Sequence, residues 1–364
     1  MENLVMIDNN FWKGRRVLLT GHTGFKGSWL FLWLKQLGAD VFGYSLAPES
    51  PQNLFAPISH PYPDFLKNQH CVADITQFNA LNDWVKIAQP DVVFHLAAQP
   101  LVRASYQDPL GTWATNVQGS LNLLEALKQL KHPCSVVMIT TDKVYENQEW
   151  CYGYRESDRL GGHDPYSASK AAAEIAINSW RVSYCGNAPH QTPHLRIATA
   201  RAGNVIGGGD WSIDRIVPDA VRFLAKGKSV GVRNPSATRP WQHVLEPLSG
   251  YLRLAEALST DESPPCEAFN FGPHLESNRP VHQLVKAMLS HWPGDWVDQS
   301  DPSAPHEAGL LHLQIDKAHH QLGWEPRWDF HTTIERTVGW YRSVHNGACA
   351  LESCLVDLET YSSP

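Results

Sequence analysis

Five residues near the middle of the chain have the types and spacing for proton transfer. Tyr166 and Lys170 lie in Pro165-Tyr-Ser-Ala-Ser-Lys170, just ahead of an Ala-rich run that reaches Tyr184. Residues four apart on a helix share a face and can meet. An ammonium group beside a phenol favours the phenolate, so Tyr166 is expected to act as a base well below its ordinary pKa of about 10. Upstream, Ser135-Val-Val-Met-Ile139 reads as a buried strand, apolar and β-branched enough for the centre of a parallel sheet. It runs into Thr141, Asp142 and Lys143, which would stand at the strand's carboxyl end, where open α/β sheets place their ligands. A packed ring and a solvated lysine satisfy the Tyr–Lys spacing equally well, so the neighbouring elements must decide.

Those elements begin at Arg16-Val-Leu-Leu-Thr20, a short apolar strand, followed by Gly21-His-Thr-Gly24-Phe-Lys-Gly27 and an apolar helix over 28–37. This is the order of a dinucleotide-binding βα unit. Gly21 would make the tight turn, Gly24 would let backbone N–H groups approach a pyrophosphate, and Gly27 would let helix and strand pack closely. The spacing is G-x-x-G-x-x-G, one residue longer than the standard fingerprint. A second strand over 40–45 ends in Ser45, with Glu49 beyond it. No Lys or Arg occurs between Tyr44 and Leu66 to receive a 2′-phosphate, which favours NAD over NADP. The Pro-rich stretch 53–64 is expected to be a loop. Cys71-Val-Ala-Asp74-Ile75 would be a third strand whose end touches an adenine, although Asp74 suits a helix cap as well. A fourth buried strand over 90–99 ends in Leu96, Ala97, Ala98 and Gln99, whose small alanines would let a cofactor lie against the backbone. Residues 111–130 have helical spacing, with Asn116 inside to satisfy backbone groups.

Beyond the Tyr166 helix, Leu195-Arg-Ile-Ala-Thr-Ala-Arg201 is another strand, and the βα rhythm then weakens. Helices over 215–226, 244–258 and 281–292 alternate with short strands over 229–232 and 268–271, and helical spacing returns over 330–344. Arg239-Pro-Trp-Gln-His243 puts a cation beside aromatic and imidazole groups, suited to a phosphate or base platform, or else to a surface arginine on a packed tryptophan. The expected fold is α/β: a Rossmann-type doubly wound parallel sheet with a smaller mixed α/β C-terminal lobe. Residues 12–201 would bind NAD, 202–344 would mainly bind substrate, and 345–364 would be a tail.

Bulk properties narrow the class. The chain has 364 residues, 43% of them apolar, enough for a large core; its net charge is −7 with no basic patch, which argues against a nucleic-acid partner. Seven cysteines, odd in number and without C-x-x-C, argue against a disulfide framework or a metal site. The N-terminal residues lack the basic and apolar regions of a secretion signal, and no apolar run is long enough to span a membrane. A cytoplasmic protein is expected.

With these pieces assembled, residues 12–344 resemble the extended short-chain dehydrogenase/reductase family, in its nucleotide-sugar-modifying part. Thr20-Gly-His-Thr-Gly-Phe-Lys-Gly-Ser-Trp29, Thr140-Thr-Asp-Lys-Val-Tyr145, Gly153-Tyr-Arg-Glu156, the run 160–170 and the run 239–251 are most similar to the branch that dehydrates CDP-glucose. Related dehydratases carry a glutamate where this chain has Lys143. The resemblance implies a redox-neutral 4,6-dehydration of CDP-glucose with bound NAD. It assigns the chemistry to Thr141, Asp142, Lys143, Tyr166 and Lys170. It assigns cofactor contacts to Gly21, Thr23, Gly24, Phe25, Lys26, Gly27, Ser45, Asp74, Ile75, Leu96, Ala97, Ala98 and Gln99, together with Tyr166 and Lys170. Substrate contacts fall to Arg103, Asn204, Arg215, Arg239 and His243. It also implies a homodimer or homotetramer paired through 111–130 and 167–184. Two other readings stay open: a dehydratase or epimerase for another nucleotide sugar, and a non-catalytic NAD-binding module.

Overall fold

A computed structural model describes residues 7–48, 50, 52–185, 194–260, 262–301 and 309–363. Residues 1–6, read above for a secretion signal, and Glu49 lie outside them. A seven-stranded parallel sheet forms the centre: β1 (Arg16–Thr20), β2 (Asp40–Ser45), β3 (His70–Val72), β4 (Val92–His95), β5 (Cys134–Ile139), β6 (Leu195–Ala202) and the strand Ala268–Phe271. Across the sheet the order is Ala268–Phe271, β6, β5, β4, β1, β2, β3. The order reverses between β1 and β4, and the crevice at that switch point is where such sheets bind ligands.

Alternation along each strand builds two cores. Val17 and Leu19 face one side with the tryptophan-rich helix Phe25–Gln36 and the helix Leu245–Thr260. Leu18 faces the other side with Phe78–Ala88, Gly119–Leu127 and the Tyr166 helix, Pro165–Tyr184. Burial on both faces explains why β1, β4 and β5 read as unbroken apolar runs. The Tyr166 helix starts where Asp164 accepts a hydrogen bond from the Ser167 N–H at 2.9 Å, with Pro165 in the first turn.

The structure corrects several expectations. The stretch 53–64 is not a loop: it holds the helix Phe55–Ser59 and the first two residues of Pro63–Asn68, with Phe55 and Ile58 buried. Pro57 and Pro63 fall within first turns, where a missing N–H costs no helical bond. The helix expected over 111–130 is three pieces, Pro109–Trp113, a π-turn Ala114–Gln118 and Gly119–Leu127, and Asn116 sits in the π-turn. The third strand stops at Val72, and Asp74 does not cap the next helix, Phe78–Ala88, which starts at Gln77: its carboxylate accepts from the Thr76 N–H and hydroxyl, both at 2.8 Å. The strand Ala268–Phe271, expected in the lobe, pairs with β6 in the central sheet. The expected tail is a packed helix, Ala350–Ser362, because Cys354, Leu358 and Tyr361 recur at helical spacing and are buried. No helix among the described residues is long and apolar enough to cross a membrane.

Candidate active site

Parallel strands all end on the same edge, and the candidate acid/base residues gather there. After β5, Thr141 caps a short 3-10 turn, Asp142–Val144: its hydroxyl lies 3.4 Å from the Lys143 N–H and donates to the Asp142 carboxylate at 3.0 Å. The second Asp142 oxygen is buried with no hydrogen-bond partner. A buried carboxylate left half satisfied disfavours its charged form. Burial accordingly raises Asp142 above the ordinary carboxylate range, against the pull of Lys143, Thr141, Arg239 and Lys26. Burial thus favours the carboxylic acid over the carboxylate at this position.

The Tyr166 helix lies alongside. The Tyr166 N–H donates to Ser105 Oγ at 3.1 Å, and the Lys170 ammonium donates to the Ile139 carbonyl at 3.3 Å, at the end of β5. Burial pushes Lys170 down to about 8, while Glu174 pulls it up. The expectation for Tyr166 is corrected in sign. Burial pushes its phenol up to about 12, and the Thr141 hydroxyl offsets only part of this. Desolvation of the phenolate therefore outweighs the cations that the chain itself supplies.

A second, half-buried lysine joins the group. Lys26 was expected to contact only cofactor, yet its ammonium reaches the Tyr251 hydroxyl at 3.5 Å and feels Asp142. Burial first, then Arg215 and Lys170, lower it to about 7. Arg215 is held by Asp210 at 2.9 Å and acts on Tyr166 in turn. Arg239, from the strand Thr238–Pro240, acts on Asp142. Arg103 lies further out, 3.4 Å from Asp214, which also binds Arg233 at 2.8 Å. Asn204 accepts from the Gln242 N–H through its carbonyl at 3.2 Å.

His243 is not brought to this cluster. It is fully buried, its ring 4.7 Å from Trp328 and 5.9 Å from Trp29, and burial lowers it to about 3. Trp241 is buried too, with its indole N–H on the Arg279 carbonyl at 2.9 Å. Of the expected platform at 239–243, only the arginine reaches the site.

The glycine loop has the shape of an anion cradle. Gly21 takes φ +73°, and a Cβ there would stand 2.6 Å from the Ala97 nitrogen. A Cβ on Gly27 would collide with the Gly21 carbonyl, whereas one on Gly24 would meet only that oxygen, at 3.4 Å. The helix Phe25–Gln36 starts at Gly24 with no side-chain cap, so its first N–H groups take no side-chain acceptor from the cap residue. Such an end suits a pyrophosphate, and the residues present fit a dinucleotide. Thr23 Oγ1 meets Ser45 Oγ at 2.7 Å and the Leu46 carbonyl at 2.9 Å, joining the loop to β2. Ile75 packs on Gly119, the Leu96 N–H bonds the Thr20 carbonyl at 3.2 Å, and the Ala97 N–H bonds the Thr20 hydroxyl at 3.2 Å. Ala98 follows in this turn. The Gln99 side chain is spent on Leu101 and Thr112.

Sequence reasoning did not assign Asn116 a place in the site, nor Ser105 or Tyr251. Asn116 accepts from the Gln99 N–H at 2.9 Å and donates to Ser169 at 2.9 Å; Ser169 in turn donates to the Tyr166 carbonyl. A polar residue at a helical position was the available signal. No cluster of metal-ligating side chains occurs among the described residues.

Comparison with known proteins follows this geometry. A family model described as GDP-mannose 4,6 dehydratase matches residues 18–337. A CDP-glucose 4,6-dehydratase of Salmonella typhimurium is 44% identical over 98% of this chain and 99% of its own length. Solved structures share the fold. A UDP-glucose 4-epimerase from Stenotrophomonas maltophila with bound NAD aligns at TM-score 0.77 and 21% identity, covering 92% of this chain and all of its own. A dTDP-glucose 4,6-dehydratase from Streptomyces venezuelae with bound NAD aligns at TM-score 0.75 and 23% identity, covering 91% and 98%. With a match across most of its length and a closely similar relative, the chain belongs to the GDP-mannose 4,6 dehydratase family.

Proposed function

We propose that this protein is an NAD-dependent CDP-glucose 4,6-dehydratase, forming CDP-4-dehydro-6-deoxyglucose and water. The observation that carries this reading is the buried, half-satisfied Asp142 beside Tyr166 and Lys170, in a chain 44% identical to a CDP-glucose 4,6-dehydratase. The glycine loop, with Thr23, Ser45 and the Leu96–Gln99 turn, holds the cofactor. NAD, when bound, supplies a reversible two-electron oxidation and, when oxidised, a positive charge that favours a phenolate.

The chain's own groups move the protons. Tyr166 takes the proton from the sugar C4 hydroxyl, which Thr141 orients, and Lys170 stabilises the phenolate. A ketone at C4 acidifies the C5 hydrogen, and Lys143 is placed in the same turn to remove it. Asp142, whose protonated form burial favours, gives its proton to the departing C6 hydroxyl, so that water and not hydroxide leaves. Return of the two electrons to C6 by reversal of that oxidation, return of the Lys143 proton to C5, and passage to Asp142 of the proton that Tyr166 took restore the site to its starting state. Arg215 and Arg239 bring positive charge towards the diphosphate, and residues 202–344 supply most contacts to the nucleotide sugar.

Two further features belong to this reading. Tyr106, Leu110 and Trp113 are exposed, as are Ile175 and Val182 on the Tyr166 helix. These apolar side chains support pairing of two subunits through their helices. All seven cysteines are free thiols, Cys151 and Cys349 exposed, which supports a reducing cytoplasm.

The test is incubation of purified protein with NAD and CDP-glucose, with dTDP-glucose, UDP-glucose and GDP-mannose in parallel. A 4-keto-6-deoxy sugar, read by its absorbance in alkali, is expected with CDP-glucose and not with Tyr166→Phe. Product from another donor alone would overturn the substrate, and no product from any would overturn the reaction.

A further inference from the structure

Glu174 lies one helical turn beyond Lys170 and is almost wholly buried. Its carboxylate accepts four hydrogen bonds: from Thr140 Oγ1 at 2.5 Å, Thr199 Oγ1 at 2.9 Å, and Arg201 Nε and Nη2 at 3.0 and 2.8 Å. These donors come from the end of β5 and from β6. Arg201 continues the tie through Nη1, donating to the Tyr145 hydroxyl at 2.8 Å and the Glu156 carbonyl at 3.1 Å. The Tyr145 hydroxyl in turn donates to Asn270 at 2.7 Å, on the strand Ala268–Phe271. We propose that Glu174, with Arg201 as its counter-ion, is a positioning residue that clamps the end of β5 to the Tyr166 helix. It thereby sets Thr141 and Asp142 in register against Tyr166 and Lys170.

Three observations support more than a packing role. Thr140, which the carboxylate grips, is the backbone neighbour of Thr141, so a shift there moves Thr141 and Asp142 directly. A buried ion pair rarely raises net stability over apolar side chains of the same size, so stability alone gives little reason for this arrangement. Four bonds also fill the carboxylate's acceptor capacity, which fixes its orientation. Burial alone would raise Glu174, but Arg201, Thr140 and Thr199 hold it below the ordinary carboxylate range, so it is charged.

That charge faces Lys170. The ionisable groups that interact with Lys170 are Glu174 on its own helix, where Tyr166 lies one turn earlier, Lys26 from the Phe25–Gln36 helix and His95 from β4. Glu174 favours the lysine's charged form against the burial that lowers it. Removing it lowers the pH at which Lys170 loses its proton.

The inference rests on the proposed dehydratase reading for its kinetic test, so a second readout stands apart from turnover. Glu174→Gln leaves Arg201 as an unpaired buried cation, so the double variant Glu174→Gln/Arg201→Gln and the near-isosteric Thr140→Val accompany it. Each is expected to bind CDP-glucose with KM within about twofold and to lose at least tenfold in kcat. In Glu174→Gln, which keeps the Arg201 cation, the alkaline fall in activity should begin at lower pH. Hydrogen exchange at the amides of residues 140–145 should quicken in all three, relative to an unrelated variant of equal thermal stability. Full kcat and unchanged exchange in Thr140→Val and the double variant, with an unmoved pH profile in Glu174→Gln, would overturn the clamp. An unaltered protein without dehydratase activity would overturn the proposed function instead, and the exchange result would still decide Glu174.

Discussion

Placing a methyl group on Gly27 or on Gly24 separates two roles of the same loop. A Cβ on Gly27 would overlap the Gly21 carbonyl oxygen and stand 2.8 Å from the Gly21 carbonyl carbon and the His22 Cα. Ordinary contact begins at 3.4 Å, so helix and turn must part by at least 3.4 − 2.8 = 0.6 Å. All three obstacles are backbone, which cannot rotate away. Overpacking of this kind costs about 1–3 kcal/mol. Because the same movement opens the cradle, NAD affinity should fall about 5- to 150-fold, at 1.4 kcal/mol per tenfold. Gly24 has φ −77° and ψ 173°, open to any residue, and its added Cβ would meet only the Gly21 oxygen at 3.4 Å. Gly24→Ala should thus keep wild-type thermal stability yet lose at least about tenfold in NAD affinity, because its methyl occupies the space through which a pyrophosphate reaches the helix N–H groups. Calorimetric titration with NAD and thermal melting of both variants measure the two effects. Wild-type NAD affinity in Gly24→Ala would refute the cradle, and wild-type stability in Gly27→Ala would refute the packing argument.

Other outcomes follow from the same geometry. Asp142→Asn keeps the shape but not the proton, so CDP-glucose should reduce bound NAD while kcat for the 4-keto-6-deoxy product falls about 100-fold or more; a wild-type rate would remove Asp142 from the acid role. Lys170 is charged below about 8, so kcat should decline as pH rises through that value, and a profile flat to pH 10 would contradict the need for its ammonium. His243→Ala should lower stability by about 3 kcal/mol through a core cavity, with KM for CDP-glucose unchanged; a rise in KM alone would return His243 to the substrate site. Glu246, pushed up to about 7 by burial, binds its proton more tightly folded than unfolded. Its stabilising contribution is full below the ordinary carboxylate value and is lost as pH rises towards 7. Glu246→Gln should flatten that slope in urea melts taken from pH 5 to 8.

How far the sequence disclosed this arrangement depended on whether a feature was local. β1, β4 and β5 were legible because a strand buried on both faces must be apolar throughout, and the glycine turn was legible because only glycine fits Gly21's φ and Gly27's contact. The Tyr166–Lys170 face follows from helix geometry alone. What escaped was decided by residues far away in the chain. His243 looked like a ligand group until Trp29 and Trp328 closed around it, and the C-terminal helix looked like a tail because its buried side needs Glu246 and Ser249, which bond the Tyr361 hydroxyl at 2.7 and 3.0 Å. The direction of Tyr166 is the clearest case. A lysine four residues away predicts a lowered phenol, but the desolvation that raises it comes from the whole sheet edge, and no spacing rule contains it. Glu174 shows the reverse: its position four residues after Lys170 was visible in the sequence, yet its meaning required Thr140, Thr199 and Arg201, brought together only when β5 and β6 paired. A site at the carboxyl edge of a parallel sheet takes its residue types from local motifs and its electrostatics from strand neighbours. The motif residues can therefore be read from the chain in order, while their protonation states are set by the sheet.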